Sequence, residues 1–408
     1  MNFIKKKIKT LTNKNTPDYT LFFLSSALII ISILFSYSLS IYTVVYWDYN
    51  QYHFFIRELF TGVLAILIMW TFAQIKPDKI VPIIGWILFG VFFLLMVSIY
   101  FLPSSWVTES GGAKRWIRLP FVSISPIEFF KIGFIYFLAN SFNRKLVGVT
   151  KTSFIEEVKI IIPYMIVFVI VAAIMAILLK DLGQTVLLAL ILFIMMMFAN
   201  RSGKLFASII GIAIVGLVAL ILPFKHRVDR ILSWWSMIQD GILSLMPSDM
   251  AARFRVEDFS EPYQVSNSLN AINNGGFFGT GLGEGSLKLG FLSDVHTDFV
   301  LAGITEEIGL IGLIFVVGIL FAVIYRIFLI SQNIKKTEYH LFTLGIGLMI
   351  SISFLINSYG ISAMIPIKGI AVPFLSYGGS SMLSIAIAVG LVLSISRDLP
   401  KRKKHGKK

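Results

Sequence analysis

Residues 298–328 read DFVLAGITEEIGLIGLIFVVGILFAVIYRIF, an apolar run longer than the roughly 20 residues that a helix needs to cross a bilayer. Asp298 lies at the border of this run, where a carboxylate costs free energy. The first interpretation is therefore that Asp298 has a functional role. In a helix, the face of Asp298 carries mostly small residues, which pack against protein rather than lipid. This stripe comprises Leu301, Ala302, Thr305, Gly309 and Gly312. We therefore expect Asp298 to face the bundle or a wet cleft as a general base, the alternatives being a helix N-cap or a structural ion pair.

The composition places the whole chain in a membrane. Of its 408 residues, 56% are hydrophobic and only 14% are charged, far from the composition of soluble domains. The predicted fold class is an all-α polytopic membrane protein with ten transmembrane helices. The predicted spans are 19–44, 56–74, 80–102, 126–142, 158–179, 185–199, 205–224, 298–328, 341–363 and 374–396.

Lysine and arginine are concentrated at the two ends and in the short loops on their side. The positive-inside rule therefore predicts that both termini are cytoplasmic and that a large loop, 225–297, is extracytoplasmic between spans 7 and 8. A single membrane domain, 19–396, then lies between basic tails at 1–18 and 397–408. The net charge of +14 follows from this bias, so we expect anionic lipid headgroups as partners and no nucleic acid. Without cysteine, disulfides and thiolate metal sites are excluded.

The first predicted outer loop carries Lys114, Arg115 and Arg118 beside Gly111 and Gly112. Three cations on the translocated face run against the positive-inside trend and suit an anionic ligand such as a pyrophosphate. Contact with lipid headgroups is the alternative.

The fourth span begins with Glu128 and Lys131, which are i,i+3 neighbours on a helix and can pair. Such a pair could orient a substrate group, or could simply neutralise itself while holding helices together. Asp181, between spans 5 and 6, is a further candidate, although it could pair with Lys180.

The 225–297 loop opens with an amphipathic pattern over 226–245 that predicts a helix at the membrane interface. A glycine-rich turn over 275–286 follows; it lacks the strand and the Walker lysine of a phosphate loop, so a nucleotide site is not expected. Lys288 is a cation that this turn could aim toward Asp298. His296 and Asp298 could both bind a metal, but two ligands do not define a site.

The segment 365–381 contains two prolines and Gly378-Gly379 where a span should begin. Interrupted backbone at membrane depth is tolerated only against protein or a watery cavity, so this segment should wall the same cleft. The alternative is that Gly379, Ser380 and Ser381 merely allow close helix contact.

Together these segments resemble the SEDS family (shape, elongation, division and sporulation), of which FtsW, RodA and SpoVE are members. The resemblance covers nearly the whole chain. The segment 366–369, with Lys368, looks more like the division members than the elongation members. One departure is Lys180, where the family often has proline. The motifs are Gly112–Ile117, Glu128–Lys131, Asp181–Gly183, Gly276–Gly283, Lys288–Gly290, His296–Phe299 and Ser376–Ser381.

The resemblance implies a peptidoglycan glycosyltransferase that polymerises lipid II at the outer face of the cytoplasmic membrane, at the septum if it serves division. Asp298 would take the proton from an acceptor 4-hydroxyl, and the product linkage would be inverted. The implied partners are lipid II, a class B penicillin-binding transpeptidase (FtsI-like) and division proteins resembling FtsQ, FtsL and FtsB. The substrate-binding residues would be Lys114, Arg115, Arg118, Glu128, Lys131, Asp181, Lys288, His296, Lys368 and Ser376.

No cofactor is certain, although a divalent cation, Mg²⁺ or Mn²⁺, could share the stabilisation of the departing undecaprenyl pyrophosphate. Three other functions stay open: a lipid II flippase or transporter, an elongation polymerase of the RodA type, and a division scaffold. A transporter would need polar access from both faces, whereas most unusual polar residues of this chain lie on the predicted outer side.

Overall fold

The computed structural model describes residues 16–110, 113–118, 123–145, 154–198, 203–256, 259, 262–292, 295–366 and 369–399. Most of both predicted basic tails therefore lies outside the described residues. The helices are α1 (Tyr19–Leu39), α2 (Ile41–Tyr46), α3 (His53–Gln74), α4 (Pro77–Ser98), α5 (Pro126–Lys145), α6 (Phe154–Ala173), α7 (Leu182–Phe198), α8 (Gly203–Ile221), α9 (Lys225–Leu243), α10 (Ser248–Phe254), α11 (Tyr263–Gly275), α12 (Val300–Asn333), α13 (Thr337–Ile361) and α14 (Gly379–Ser396). A 3-10 turn (Ser104–Trp106), strands β1 (Val107–Ser110), β2 (Ala113–Arg118) and β3 (Ser123–Ile124), and a π-helical turn (Ile174–Leu178) complete the elements.

A helix lies in each of the ten predicted spans. Among the described residues, seven helices are long and apolar enough to cross a membrane, and α8 with α9, sharply bent at their junction, forms an eighth candidate. The molecule is thus a helical membrane protein. α5 carries several polar residues and α7 has only 17 residues, so these two do not qualify on length and hydropathy. The number of ten spans and the cytoplasmic termini stay predictions.

The centre of the bundle is α5, which is buried on all sides. The eight consecutive residues from Phe129 to Tyr136, which make more than two helical turns and so point in every direction, are all buried. Helix α4 approaches α5 so closely that a Cβ on Gly133 would lie 2.2 Å from the backbone nitrogen of Phe89. An element fixed in this way holds its first turn, which carries Glu128, in one position.

The predicted all-α class is wrong in one region, because the described residues of the first predicted outer loop include a small antiparallel sheet in the order β1-β2-β3. Val107 pairs with Ile117, and Ile117 pairs with Ile124. Val107, Ala113 and Ile117 are buried, so one face of the sheet covers the bundle. Strands this short give too little alternation to be recognised in a sequence.

Helix α12 is broken at Gly309, whose φ of 68° and ψ of −177° are not helical. Such a conformation is open only to glycine. The break removes the intrahelical partners of several backbone groups, which would be costly inside a membrane protein.

The glycine-rich turn after α11 restores these hydrogen bonds. The amides of Thr280 and Gly281 donate to the carbonyls of Glu306 and Glu307, at 2.9 and 3.0 Å. On the far side of the break, the amides of Leu310 and Ile311 donate to residues 276 and 277, at 2.9 and 3.2 Å. The turn therefore replaces one turn of helix, and the predicted continuous stripe is interrupted at Gly309.

The predicted amphipathic helix is confirmed as α9. Its Arg227 donates to the carbonyls of Leu220, at the end of α8, and Ala176, in the π-helical turn, the latter at 2.6 Å. These bonds tie the start of the 225–297 segment to the bundle. A position at the membrane interface stays a prediction.

Candidate functional site

A cavity of about 490 Å³ lies where the small sheet, the Asp298 turn and the segment before α14 meet the N-terminal ends of α3, α5 and α7. Distant segments of the chain thus contribute to one polar cleft, as the sequence predicted for the residues around Asp298. Its charged lining residues are Arg57, Glu58, Arg115, Glu128, Asp181 and Asp298.

Asp298 belongs to the turn that precedes α12, and its backbone is held by a buried amide of α13. Asn357 donates one hydrogen bond to the Asp298 carbonyl, at 2.7 Å, and another to the Ile370 carbonyl, at 2.9 Å. The N-cap position of α12 is Phe299, one residue after Asp298. The carboxylate lines the cavity beside Gly369, where an added Cβ would lie 2.7 Å from Asp298 Oδ2.

Ser376 supports the same turn from the other side. Its hydroxyl donates to the carbonyl of Thr297, at 2.7 Å, and accepts from the amide of Val372, at 2.8 Å. The structure places Ser376 behind the cavity wall, outside the lining residues, with its hydrogen bonds directed to backbone.

Glu128 and Lys131 form the predicted i,i+3 pair, with 2.9 Å between Oε2 and Nζ. A third side chain joins them. Gln184 of α7 accepts from Lys131 Nζ, at 3.0 Å, and donates to Glu128 Oε1, at 3.0 Å. The side chains of Lys131 and Glu128 are 6% and 15% exposed, so the pair is screened little by water. Glu128 and Gln184 both line the cavity.

Asp181 is paired with Arg115, with 3.9 Å between Oδ2 and Nε, rather than with Lys180 as one alternative held. It also accepts from the amide of Gln184, at 3.1 Å, in the first turn of α7. Burial raises the pKa of this carboxyl group, and the Arg115 guanidinium opposes that shift.

Arg115 is anchored by backbone as well as by Asp181. It donates to the carbonyls of Leu179 and Lys180, at 3.1 and 2.7 Å, and it lines the cavity. Lys180 has a φ of 52°, a value that the ring of proline forbids. Lys180, which stands where the family often has proline, thus lies at a position whose φ angle proline could not adopt.

Two of the predicted cations lie away from the cavity. Arg118, at the exposed end of β2, donates to Thr108 at 2.9 Å, and Lys114 lies outside the lining residues. Only Arg115 of the three predicted pyrophosphate ligands lines the cavity.

Lys288 is 1% exposed and forms an ion pair with Glu307, at 2.6 Å. It also donates to Ser38 of α1, at 3.1 Å, and to the Gly283 carbonyl, at 2.7 Å. The structure thus places this cation inside the support of the glycine-rich turn, not in the lining of the cavity. Lys368 lies outside the described residues.

The imidazole of His296 packs against two aromatic rings, at 5.1 Å from Phe54 and 5.5 Å from Tyr377. Burial lowers the pKa of His296 to about 4, so the ring is neutral at pH 7. It can therefore support the turn but cannot supply positive charge to an anionic ligand.

Sequence reasoning missed several polar lining residues, among them Arg57 and Glu58 of α3, Gln184 of α7, and Tyr377 before α14. A signal existed for the first two, because adjacent charges inside an apolar run are unusual. Gln184 and Tyr377 gave no comparable signal. Burial raises the pKa of Tyr377 to about 12, so its hydroxyl is protonated and can donate.

A divalent cation does not fit the arrangement well. Among the described residues, no three His, Asp or Glu side chains are grouped as metal ligands. Glu128 and Asp181 are directed to Lys131 and Arg115 instead. We therefore assign no step to a metal.

Comparison with known proteins identifies the family. The model of the FtsW, RodA and SpoVE family, described as "Cell cycle protein", matches residues 19–401. The chain belongs to this family, and the predicted SEDS membership is confirmed.

Named relatives cover almost the whole chain. It is 47% identical over 384 residues to the probable peptidoglycan glycosyltransferase FtsW of Helicobacter pylori, covering 94% of this chain and 99% of the relative. It is 32% identical over 396 residues to the probable peptidoglycan glycosyltransferase FtsW of Bacillus subtilis, covering 93% and 90%.

Solved structures share the fold. A chain from the structure reported as "Structural coordination of polymerization and crosslinking by a peptidoglycan synthase complex" matches with a TM-score of 0.69 at 18% identity, covering 94% of this chain and 98% of that chain. The rod shape determining protein RodA of Thermus thermophilus matches with a TM-score of 0.63 at 19% identity, covering 95% and 98%.

Proposed function

We propose that this protein is a peptidoglycan glycosyltransferase that polymerises lipid II into glycan strands, with Asp298 as the general base. One observation carries the proposal: Asp298 lines a polar cavity together with the anchored cation Arg115. The names of the relatives with 47% and 32% identity support the same activity.

In the proposed reaction, an acceptor 4-hydroxyl attacks the anomeric carbon of a donor lipid II. Asp298 accepts the hydroxyl proton as the new carbon–oxygen bond forms. The bond to the pyrophosphate oxygen breaks, and undecaprenyl pyrophosphate leaves with the electron pair. Attack opposite the leaving group inverts the anomeric centre.

Charge develops on the departing pyrophosphate, so a fixed cation near it lowers the barrier. Arg115 suits this role because two backbone carbonyls and Asp181 hold its guanidinium in place before substrate arrives. Glu128, Lys131 and Gln184 form a neutralised hydrogen-bonded group that shapes the adjoining wall.

The deciding experiment is polymerisation of labelled lipid II by the purified full chain with its candidate transpeptidase, with glycan lengths resolved on a gel. Asp298→Asn should lose roughly 10²- to 10⁴-fold in rate while its melting temperature is kept. Asp249→Asn is the matched control, because Asp249 is exposed on α10 and lies outside the cavity. Near-normal turnover by a folded Asp298→Asn protein would refute the assignment of the base.

We propose further that the protein acts in division, at the outer face of the cytoplasmic membrane, paired with a class B penicillin-binding transpeptidase and with FtsQ-, FtsL- and FtsB-like proteins. The 47% identity to a relative named FtsW supports this branch. A fluorescent fusion should concentrate at the septum. Even distribution along the side wall would instead favour an elongation polymerase.

A further inference from the structure

Three large apolar side chains of the glycine-rich turn project away from the protein. Phe277, Phe278 and Leu282 are 68%, 84% and 71% exposed. The backbone of the same turn is pressed against α12, since a Cβ on Gly279 would lie 2.3 Å from the Glu307 carbonyl oxygen. An exposed apolar patch of this kind marks contact with a membrane or with a partner.

The polar groups of the turn point inward, toward α12. The Thr280 hydroxyl donates to the Glu306 carbonyl at 3.0 Å, and the Asn274 side chain donates to Glu306 Oε1 at 2.9 Å. The amides of Thr280 and Gly281 also donate to carbonyls of α12. Irregular backbone at membrane depth is tolerated only where protein satisfies its hydrogen bonds. The turn meets this condition while its apolar side chains face outward.

The pattern of charges along α12 indicates the depth of the turn. The stretch from Ile308 to Tyr325 contains no charged residue. It is flanked by Glu307 and Arg326. At 1.5 Å per residue this stretch spans roughly 27 Å, close to the roughly 30 Å of the hydrocarbon core. The break at Gly309, where the turn binds, therefore lies at one border of that core.

The surface of α12 beyond the break faces lipid. It carries large apolar side chains that are each more than half exposed, namely Ile311, Ile314 and Phe315. The turn adjoins this surface directly, because the Ile311 amide donates to the Phe277 carbonyl at 3.2 Å. The patch on the turn thus continues the lipid-facing surface past the break.

We propose that the turn re-enters the membrane and inserts Phe277, Phe278 and Leu282 among the acyl chains of the outer leaflet. Lipid is the occupant because the patch extends a lipid-facing helix surface and lies at the border of the hydrocarbon core. The predicted 225–297 loop then does not lie wholly outside the membrane. The inserted side chains fix the height of α12, and with it Asp298, relative to the lipid surface.

The test uses single cysteines that carry a nitroxide label, since the chain has no cysteine of its own. Phe278→Cys is compared in nanodiscs with Phe315→Cys, on the lipid-facing side of α12, and with Asp249→Cys, on the exposed helix α10. Collisions of the label with oxygen report lipid, and collisions with a water-soluble nickel chelate report water. We expect Phe278→Cys to match Phe315→Cys, with high access to oxygen and low access to nickel.

Two results would overturn the inference. Access to nickel as high as at Asp249→Cys would place the patch in water, open to a partner protein. Low access to both reagents would show that protein covers it, from this chain or from a second copy. Neither result depends on polymerisation, so the test is independent of the proposed function.

A second measurement excludes an effect of the label itself. The unlabelled thiols react with a hydrophilic maleimide in the same nanodiscs, and melting temperatures show that each variant is folded. Phe277→Cys and Phe278→Cys should react roughly tenfold or more slowly than Asp249→Cys, because only the thiolate reacts and apolar surroundings disfavour it. Equal rates at the three positions would refute insertion.

Discussion

The side-chain amide of Asn357 donates a 2.7 Å hydrogen bond to the main-chain carbonyl of Asp298, and its second hydrogen goes to Ile370. One buried side chain of α13 therefore joins the turn that carries the proposed base to the segment around Ile370, next to Gly369 in the cavity wall. Asn357→Leu should leave both carbonyls unpaired, at about 1–3 kcal/mol each. Polymerisation should fall roughly a hundredfold, because small displacements of a base are costly.

The measurement is a melting curve with a polymerisation assay on the same sample. Asn333→Ala is the matched control, since the Asn333 side chain is exposed at the other end of α12 and donates to the Leu329 carbonyl of its own helix. Similar losses of polymerisation in Asn357→Leu and Asn333→Ala would contradict a specific role for Asn357.

Gly369→Ala tests how closely the cavity wall approaches Asp298. The new methyl would lie 2.7 Å from Oδ2, which must move away. We expect roughly a tenfold or larger loss of polymerisation with little loss of stability. Gly90→Ala, in α4, meets nothing within 4 Å and should be neutral or stabilising by up to about 1 kcal/mol. Wild-type activity of Gly369→Ala would show that the carboxylate has room to adjust.

Gly309→Ala tests the break in α12. Alanine is strained at a φ of 68°, and its Cβ would lie 2.4 Å from the Gly279 nitrogen. The strain alone should cost about 1–3 kcal/mol, so folded yield and melting temperature should drop. Gly318→Ala, later in the same helix, meets nothing within 4 Å and should not reduce either quantity. Equal behaviour of the two variants would contradict the observed break.

Lys288 distinguishes structural support from substrate binding. Lys288→Met leaves the Glu307 carboxylate buried without its cation, which should cost about 3–5 kcal/mol. The double variant Lys288→Met with Glu307→Leu should recover much of this loss, which a double-mutant cycle of melting data would measure. Full stability of Lys288→Met with weakened lipid II binding would instead support the predicted substrate contact.

The pKa of His296 predicts a dependence of stability on pH. The folded pKa of about 4 lies below the ordinary value of 6.5, so between these values the unfolded chain binds more protons. Stability should therefore fall as pH decreases from 6.5 to 4, by about 3 kcal/mol in total. His296→Gln should flatten the melting temperature over this range. An unchanged pH profile in the variant would show that other groups control it.

The helical segments and the local pair Glu128–Lys131 were predictable, because hydropathy and i,i+3 spacing are properties of short stretches. The partner Gln184 was not, since it reaches this pair from another helix. Asp298 was recognised by the cost of a carboxylate at a membrane border. Glu58 shares that signal, but only the fold shows that its side chain is fully buried.

The break in α12 was unpredictable for a different reason. Glycine is common in transmembrane helices, so Gly309 and Gly312 both read as small residues of one packing stripe. What distinguishes Gly309 is the turn from residue 276 to 281, which meets it only in the folded chain.

The turn from 276 to 281 restricts which insertions and deletions the protein can tolerate. Loops usually accept insertions and deletions, and the exposed junction between α9 and α10, at Leu245, has the features of such a loop. The turn from 276 to 281 does not, because Gly276 and Phe277 bond to one side of the break and Thr280 and Gly281 bond to the other. One added codon would mismatch these bonds, so this irregular segment is as fixed in length as a central strand of a sheet.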